Sequence, residues 1–360
     1  MMNKRLSTNG LLKAFSLLAI GVAGLITASS PGYGQAASEQ GVGPFRTQTI
    51  QLEAGWNAVY LEIEPTKVDP SALFAGTPIE IAAAYFRPVT AMEFIDSPTD
   101  VLPDRKGWSV WYAPDRPDAL LGNLHAIQAH HAYLLYSKNA YTWSLRGRPF
   151  FDAIKWHPNA FSLVGFPIDA AEQPTIAEFF AGAAAHTPLK IYRLANGQWT
   201  LVSNPAQAMM KPGAAYWVYS KGASDFRGPL EVDFKSSAAG GLVFKESTGT
   251  RRIQIRNVSP NPQDLTLTLQ GGTTGTLPLS YVVRVLGGSN QPIDSVSIPF
   301  PSPLKLGPLE TGQAFLLELE VAQEAVSTPV MSSTLSISTT AGLRIEVPLV
   351  SIRTDLLASP

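Results

Sequence analysis

The sequence predicts a mainly β fold, made of two tandem β-rich repeats, each with one short helix, followed by a C-terminal immunoglobulin-like β-sandwich. Three observations lead to this prediction. Gly and Pro number 29 each in 360 residues, so turns are frequent and long helices are disfavoured. A pattern of aromatic residues, helix caps and turns occurs twice, and a series of short strand-like segments follows it. Apolar residues make up 45% of the chain and charged residues 15%, which favours folded cores over disorder.

Residues 1–36 are predicted to be a signal peptide. Lys4 and Arg5 precede an apolar run at 14–28, and the small residues Gly34 and Ala36 suit cleavage near Ala36. An uncleaved anchor is the alternative, but a membrane span needs about 20 apolar residues and this run is shorter. We therefore expect a secreted protein of the periplasm, the extracellular space or the cell surface, with no membrane span after cleavage. The chain has no cysteine, so packing alone must stabilise it.

The two predicted repeats cover residues 46–149 and 150–235. Each opens with a large aromatic residue, Trp56 in the first and Phe161 in the second, followed by an apolar strand and a proline turn. Each closes with a nearly identical strand, at 132–138 and 215–221. This recurrence in the same order predicts one structural unit present twice.

A short helix is predicted after the opening strand of each repeat. Asp69 followed by Pro70 marks a helix start in the first repeat. Thr175 and Glu178 form a capping box in the second. The helices are expected to end at two glycines, Gly76 and Gly182, each able to adopt the left-handed conformation.

After the helices, residues 84–87 align with residues 191–194. In the second repeat, the strands 189–194 and 198–202 flank Asn196-Gly197, a pair that favours a tight hairpin turn.

The opening phrases and closing strands resemble a tandem Gly-Trp-Asn-type module of exported proteins of Gram-negative bacteria, sometimes found before a LamG-like domain. The resemblance covers about residues 46–235. It implies export and a modular architecture, and it implies no characterised activity. The sequence after residue 235 is shorter than a LamG-bearing tail.

The first repeat carries an insertion, at 96–122, that the second lacks. It contains Trp108, Trp111 and Tyr112 among charged residues such as Asp115. Aromatic rings beside carboxylates are suited to stacking on a sugar or a partner surface. These four residues are therefore the candidate ligand-binding site, and a loop folded back onto its own domain is the alternative.

Residues 242–354 are predicted to form the sandwich. A small-residue linker at 236–241 precedes a series of short strands separated by Gly, Pro and Asn turns, as in immunoglobulin-like domains. The predicted strands are 242–246, 252–258, 265–270, 279–286, 294–298, 314–321, 334–339 and 343–352.

Residue patterns for chemistry are few. His125, His130 and His131 are close enough in sequence to bind a metal, but the last two align with Gly213 and Ala214 before a closing strand, which favours a turn. Nucleotide, EF-hand and Gly-x-Ser-x-Gly patterns are absent from the sequence. A Ser-His-Asp set assembled from distant positions stays open.

Carboxylates offer one further possibility. Glu62 and Glu64 share a strand face, either as a glycosidase pair or as an exposed face, and we favour the exposed face. We expect neither a metal nor a cofactor. The net charge of −1 excludes a strongly basic surface for nucleic acid.

The sequence thus favours a secreted, non-enzymatic structural or interaction protein whose partner is an extracellular protein or a glycan. A carbohydrate-binding protein that uses Trp108, Trp111 and Tyr112 is the alternative. A hydrolase with an unrecognised site is the third hypothesis.

Overall fold

Strands dominate the structure, a computed structural model that describes residues 44–86, 107–152, 154–234, 240–245, 250–286 and 292–356. For residues 284–286 and 292–294 only the backbone is described. The fold is mainly β, as the sequence predicts, with two short α-helices, α1 (Pro70–Leu73) and α2 (Ile176–Phe179). In these residues, no helix combines the length and the apolar character that a membrane span requires.

The first third of the described chain forms a three-stranded and a four-stranded sheet. The strand order is β1-β7-β3 in the smaller sheet and β2-β6-β4-β5 in the larger one. The strands are β1 (Arg46–Leu52), β2 (Gly55–Tyr60), β3 (Ile63–Pro65), β4 (Ile79–Tyr85), β5 (Trp108–Tyr112), β6 (Ala132–Ser137) and β7 (Tyr141–Pro149).

The next segment forms a second four-stranded sheet with the order β8-β11-β9-β10. Its strands are β8 (Ala160–Gly165), β9 (Ile191–Ala195), β10 (Gln198–Leu201) and β11 (Ala215–Ser220). The two four-stranded sheets thus have the same strand order. Their registers also agree, because Trp56 lies opposite Tyr136 as Phe161 lies opposite Tyr219.

The register corrects one part of the sequence alignment. Ala84 pairs with Tyr133 on β6, and Arg193 pairs with Tyr216, the equivalent of Tyr133, on β11. Tyr85 in turn pairs with Trp108, and Leu194 with Trp199. Tyr85 therefore corresponds to Leu194, so the proposed match of 84–87 with 191–194 is displaced by two residues. Trp108, which has no counterpart in the sequence alignment, corresponds to Trp199.

The predicted helix starts are confirmed. The Asp69 carboxylate accepts a hydrogen bond from the Ala72 amide at 2.8 Å, and Thr175 and Glu178 form the capping box. Gly76 is left-handed, with φ of 74°. Gly182 is not, and the prediction for it is wrong: its small size is required because a Cβ would overlap the Val258 carbonyl group.

The predicted hairpin is also confirmed. β9 and β10 pair in antiparallel register across Asn196 and Gly197, whose φ angles of 51° and 73° are both positive. Such angles are those of the tight turn that Asn-Gly favours.

The C-terminal third is an immunoglobulin-like sandwich of two five-stranded sheets, ordered β12-β14-β19-β16-β17 and β13-β21-β20-β15-β18. Its strands are β12 (Leu230–Asp233), β13 (Leu242–Lys245), β14 (Arg251–Asn257), β15 (Gln263–Gly271), β16 (Leu279–Leu286), β17 (Pro292–Pro299), β18 (Leu304–Leu309), β19 (Ala314–Val321), β20 (Val330–Thr339) and β21 (Arg344–Ile352). All eight predicted strands occur there.

Two sandwich strands are absent from the sequence prediction. β12 lies within the second predicted repeat, yet it pairs with β14 of the sandwich. β18 carries Gly307 and Pro308 and pairs with the edge of β15. An edge strand forms hydrogen bonds with a neighbouring strand on one side only. Proline, which lacks the N–H, is tolerated there because that position can face solvent.

Two hydrophobic clusters connect the successive segments. In the first cluster, the ring centroid of Trp217 in the second sheet lies 6.4 Å from that of Trp108 in the first sheet. It lies 6.2 Å from that of Trp199 in its own sheet. A larger cluster contains residues of the second repeat, such as Phe166 and Phe179, together with sandwich residues. The successive segments of the chain therefore share buried apolar contacts.

The close packing of the first repeat against the second depends on a glycine. A Cβ on Gly165 would overlap the ring of Tyr60, which is buried. Gly165 and Tyr60 are equivalent positions of their sheets, since Val164 lies opposite Tyr216 and Val59 opposite Tyr133. The interface thus combines a large side chain from one sheet with a glycine from the other.

We predict that Gly165→Ala lowers the free energy of unfolding by about 1–3 kcal/mol, because overpacking forces Tyr60 from its position. Urea denaturation measures this difference. Gly122→Ala is the control, since its Cβ would be in ordinary contact at 3.4 Å or more and should change stability little. Equal effects of the two substitutions would contradict the close packing of Tyr60 on Gly165.

Candidate functional site

A cluster of charged side chains lies where the first repeat meets the sandwich. Arg46, at the start of β1, contacts two carboxylates at 2.5 Å each: Glu62, between β2 and β3, and Glu346 on β21. Arg344, also on β21, lies 3.5 Å from Glu62 and 3.8 Å from Glu346. We call these four residues the junction cluster.

Burial makes the pairing in the junction cluster necessary. Glu62 is buried, so the favoured prediction of an exposed strand face is wrong for this residue. Arg46 forms a hydrogen bond with Glu62 and an ion pair with Glu346. Removing water from Glu346 raises the pKa of its carboxyl group, although Arg46 and Arg344 oppose that effect.

Gln48 fixes the backbone that carries Glu62. Its side-chain amide donates to the Tyr60 carbonyl oxygen at 2.9 Å and accepts from the Glu62 amide at 2.9 Å. The Gln48 side chain is buried, so both bonds are protected from water. The Glu62 carboxylate is therefore held toward Arg46 by its own main chain.

His130 lies beside the junction cluster in a strained conformation. Its φ is 54°, and the equivalent position in the second sheet is Gly213, with φ of 67°. Positive φ is uncommon for residues other than glycine and costs of order 1 kcal/mol. The contacts of the imidazole offset this cost.

Those contacts determine which nitrogen of the His130 ring carries the hydrogen. Nε2 lies 2.5 Å from the Phe150 carbonyl oxygen, which can only accept, so Nε2 carries the hydrogen. Nδ1 then accepts from the Tyr60 hydroxyl at 2.7 Å. Burial lowers the pKa of His130, which keeps the ring neutral in this arrangement.

The space beside the Arg46–Glu62 pair is small. A cavity of about 50 Å³ is lined by residues including Arg46, Tyr60, Glu62, His130 and Arg227. A water molecule occupies about 30 Å³ in the liquid, so the cavity has room for one or two waters. Tyr60 and His130 also line a neighbouring cleft of about 270 Å³. The charged pairs themselves are suited to holding segments together.

The predicted ligand-binding residues are found elsewhere, and the structure corrects their interpretation. Trp108, Trp111 and Tyr112 are 4%, 7% and 7% exposed, and they lie in strand β5 rather than in a loop. The Trp111 indole N–H donates to Ser71 Oγ at 2.9 Å, and its ring lies 5.0 Å from Phe74.

Their burial removes the flat exposed rings on which a sugar could stack. Asp115 is exposed, but it has no exposed ring of this group beside it. The part of the predicted insertion at 96–106 lies outside the described residues.

The predicted histidine group is dispersed. His125 is exposed, and His130 forms its hydrogen bonds with Tyr60 and Phe150. His131 Nδ1 lies 3.0 Å from the Ala129 carbonyl oxygen. A turn at 129–130 precedes β6, as predicted. Among the residues with described positions, no three His, Cys, Asp or Glu side chains are grouped to bind a metal.

Comparison with known proteins gives no family. The chain matches no protein-family model and no curated protein. Among solved structures, a FixG-related protein from Vibrio parahaemolyticus is 12% identical over 35% of this chain and 96% of its own, with a TM-score of 0.21.

Two longer matches have similar scores. The Enterococcus faecalis MSCRAMM ACE is 8% identical over 86% of this chain and 83% of its own, with a TM-score of 0.19. The CupB6 tip adhesin from Pseudomonas aeruginosa is 10% identical over 88% and 91%, also with a TM-score of 0.19. At these scores the likenesses do not indicate a function.

We predict that His130 makes the protein less stable in mild acid. Because its folded pKa is lowered, its stabilising contribution is complete above the unfolded value of 6.5 and is lost as pH falls through the folded pKa. His130→Asn should therefore reduce the loss of unfolding free energy between pH 7.5 and pH 5, measured by urea denaturation. The exposed His125→Asn serves as the control and should leave that loss unchanged. A pH dependence identical in all three proteins would contradict a buried neutral His130.

Proposed function

We propose that this protein is an exported structural and interaction protein of the periplasm or cell surface. In this proposal, two copies of one β-rich unit and an immunoglobulin-like sandwich form a single scaffold that presents its outer surface to an extracellular protein or glycan. The common strand order of the two four-stranded sheets supports the duplication. The basic and apolar pattern of residues 1–36 supports export.

The observation that carries the structural role is the sharing of Arg46. Its guanidinium is held between Glu62 of the first repeat and Glu346 of the sandwich, which are separated by most of the chain. A buried charge must keep its partners, because an unpaired one is costly. The ends of the folded chain are therefore tied together, as a scaffold requires.

A carbohydrate-binding role through Trp108, Trp111 and Tyr112 gains no support, because these side chains are buried. The extracellular partner in our proposal, a protein or a glycan, rests on export alone.

We predict that Arg46→Leu destabilises the protein by about 3 kcal/mol, since it removes the nearer cation and leaves Glu62 and Glu346 only Arg344, at 3.5 and 3.8 Å. Arg148→Leu is a matched control on the same sheet, where the side chain is exposed and substitution should cost less than about 0.5 kcal/mol. Chemical denaturation at pH 7 measures both. A loss for Arg46→Leu no larger than the control would contradict a structural role of the junction cluster.

We also predict export with cleavage near Ala36 when the full chain is expressed in a Gram-negative bacterium. Fractionation followed by N-terminal sequencing should find the shortened protein in the periplasmic or extracellular fraction. A variant with two acidic residues in the apolar run, Leu17→Asp and Leu18→Asp, should stay uncleaved in the cytoplasm. Recovery of the wild-type chain at full length in the cytoplasm would refute the proposal of export.

A further inference from the structure

The second repeat contains a hydrogen-bonded serine and histidine that the structural role does not use. His186 ends a short 3-10 helix (Ala184–His186), and Ser224 lies in the loop after β11. The distance from His186 Nε2 to Ser224 Oγ is 3.0 Å. On the other side of the ring, Nδ1 lies 2.9 Å from the Tyr219 carbonyl oxygen.

These distances determine where the protons are. The Tyr219 carbonyl oxygen can only accept, so Nδ1 carries the imidazole hydrogen. In the neutral ring Nε2 is then the acceptor, and the Ser224 hydroxyl donates to it. The Phe226 amide donates to Ser224 Oγ at 3.2 Å, in agreement with this direction. Ser224 is thus oriented with its proton toward a base and its oxygen toward a backbone N–H.

The surroundings keep His186 neutral. Its side chain is 1% exposed, and the rings of Trp156, Phe180 and Phe226 lie 4.3, 5.7 and 5.9 Å from the imidazole. This apolar environment lowers the pKa of His186 because it disfavours the charged form. The Nε2 lone pair is therefore available at neutral pH.

Ser224 is accessible, in contrast to His186. It is half-buried and lines a cleft of about 280 Å³. Small residues form part of the cleft wall, among them Ala183, Ala184 and Ala223. The charged residues of the wall are Asp225, Arg227, Glu231 and Arg256. The cleft is large enough for a short acyl group.

We propose that Ser224 and His186 form an acyl-transfer site that accepts small carboxylic esters. Ser224 Oγ attacks the ester carbonyl carbon while its proton passes to His186 Nε2. The bond to the alcohol oxygen then breaks, and the alcohol leaves with that proton. Water, deprotonated by His186, releases the acid and restores Ser224. The Tyr219 carbonyl holds the imidazole in place, a role that a carboxylate has in a Ser-His-Asp triad.

This site goes beyond the proposed scaffold and does not depend on it. The sequence is compatible with a catalytic set assembled from distant positions, and His186 and Ser224 are 38 residues apart in the chain. If Ser224 proves unreactive, the acyl-transfer proposal is refuted, while the proposals of export and of a structural role for the junction cluster are not affected.

A fluorophosphonate probe tests the proposal on the mature full-length protein. The probe should attach to Ser224, as located by mass spectrometry, and Ser224→Ala should abolish that attachment. Ser203→Ala, at an exposed serine of the same repeat, is the matched control and should be labelled like the wild type. Hydrolysis of p-nitrophenyl acetate should fall by about 100-fold in Ser224→Ala.

The pH dependence of labelling separates a base from a merely structural histidine. With His186 as the base, the labelling rate should rise with pH as a single group loses its proton and then level off. His186→Asn should lower the rate by about 100-fold. If that variant fails to fold, the pH profile of the wild type decides. A folded wild type that is not labelled, labelling that persists in Ser224→Ala, or a rate independent of pH would each overturn the proposal.

Discussion

The ion pairs of Arg46 with Glu62 and Glu346 constrain the whole described fold. Each of these groups is largely removed from water, and none can lose its partners without leaving a buried charge. The cluster exists only if β1, the β2–β3 connection and β21 meet at one place. These elements come from opposite ends of the described chain, so the contact closes the structure into one body.

The contact between the two four-stranded sheets shows how similar units can pack without being identical. At equivalent positions, one sheet has Tyr60 where the other has Gly165, and one has His130 where the other has Gly213. Each of these two large side chains thus corresponds to a glycine in the second sheet. The asymmetry leaves room for Tyr60 against Gly165 and places His130 beside the junction cluster.

Local features were predictable from the sequence because local interactions determine them. The Asp69 cap, the Thr175–Glu178 capping box and the Asn196-Gly197 turn involve residues within a few positions of each other. The sandwich strands were predictable because short alternating segments are separated by strong turn residues. β18 was not, because Gly307 and Pro308 are turn residues that an edge strand can nevertheless accommodate.

Non-local features were not predictable for a related reason. The sequence places Trp108 in an insertion because the additional residues of the first repeat hide its correspondence to Trp199, which only strand register reveals. Nothing in the sequence around Arg46 indicates Glu346 as its partner. The hydrogen bond between His186 and Ser224 likewise joins two segments that carry no shared motif. The one available signal was Glu62, a charged residue between the apolar Leu61 and Ile63.

We infer that the junction cluster and the shared apolar clusters make the described residues between 44 and 356 one cooperative unit. Scanning calorimetry of the mature protein tests it most directly. Our account predicts a single transition whose calorimetric enthalpy equals its van't Hoff enthalpy. Two or more separate transitions at neutral pH, with the sandwich unfolding independently of the repeats, would contradict it.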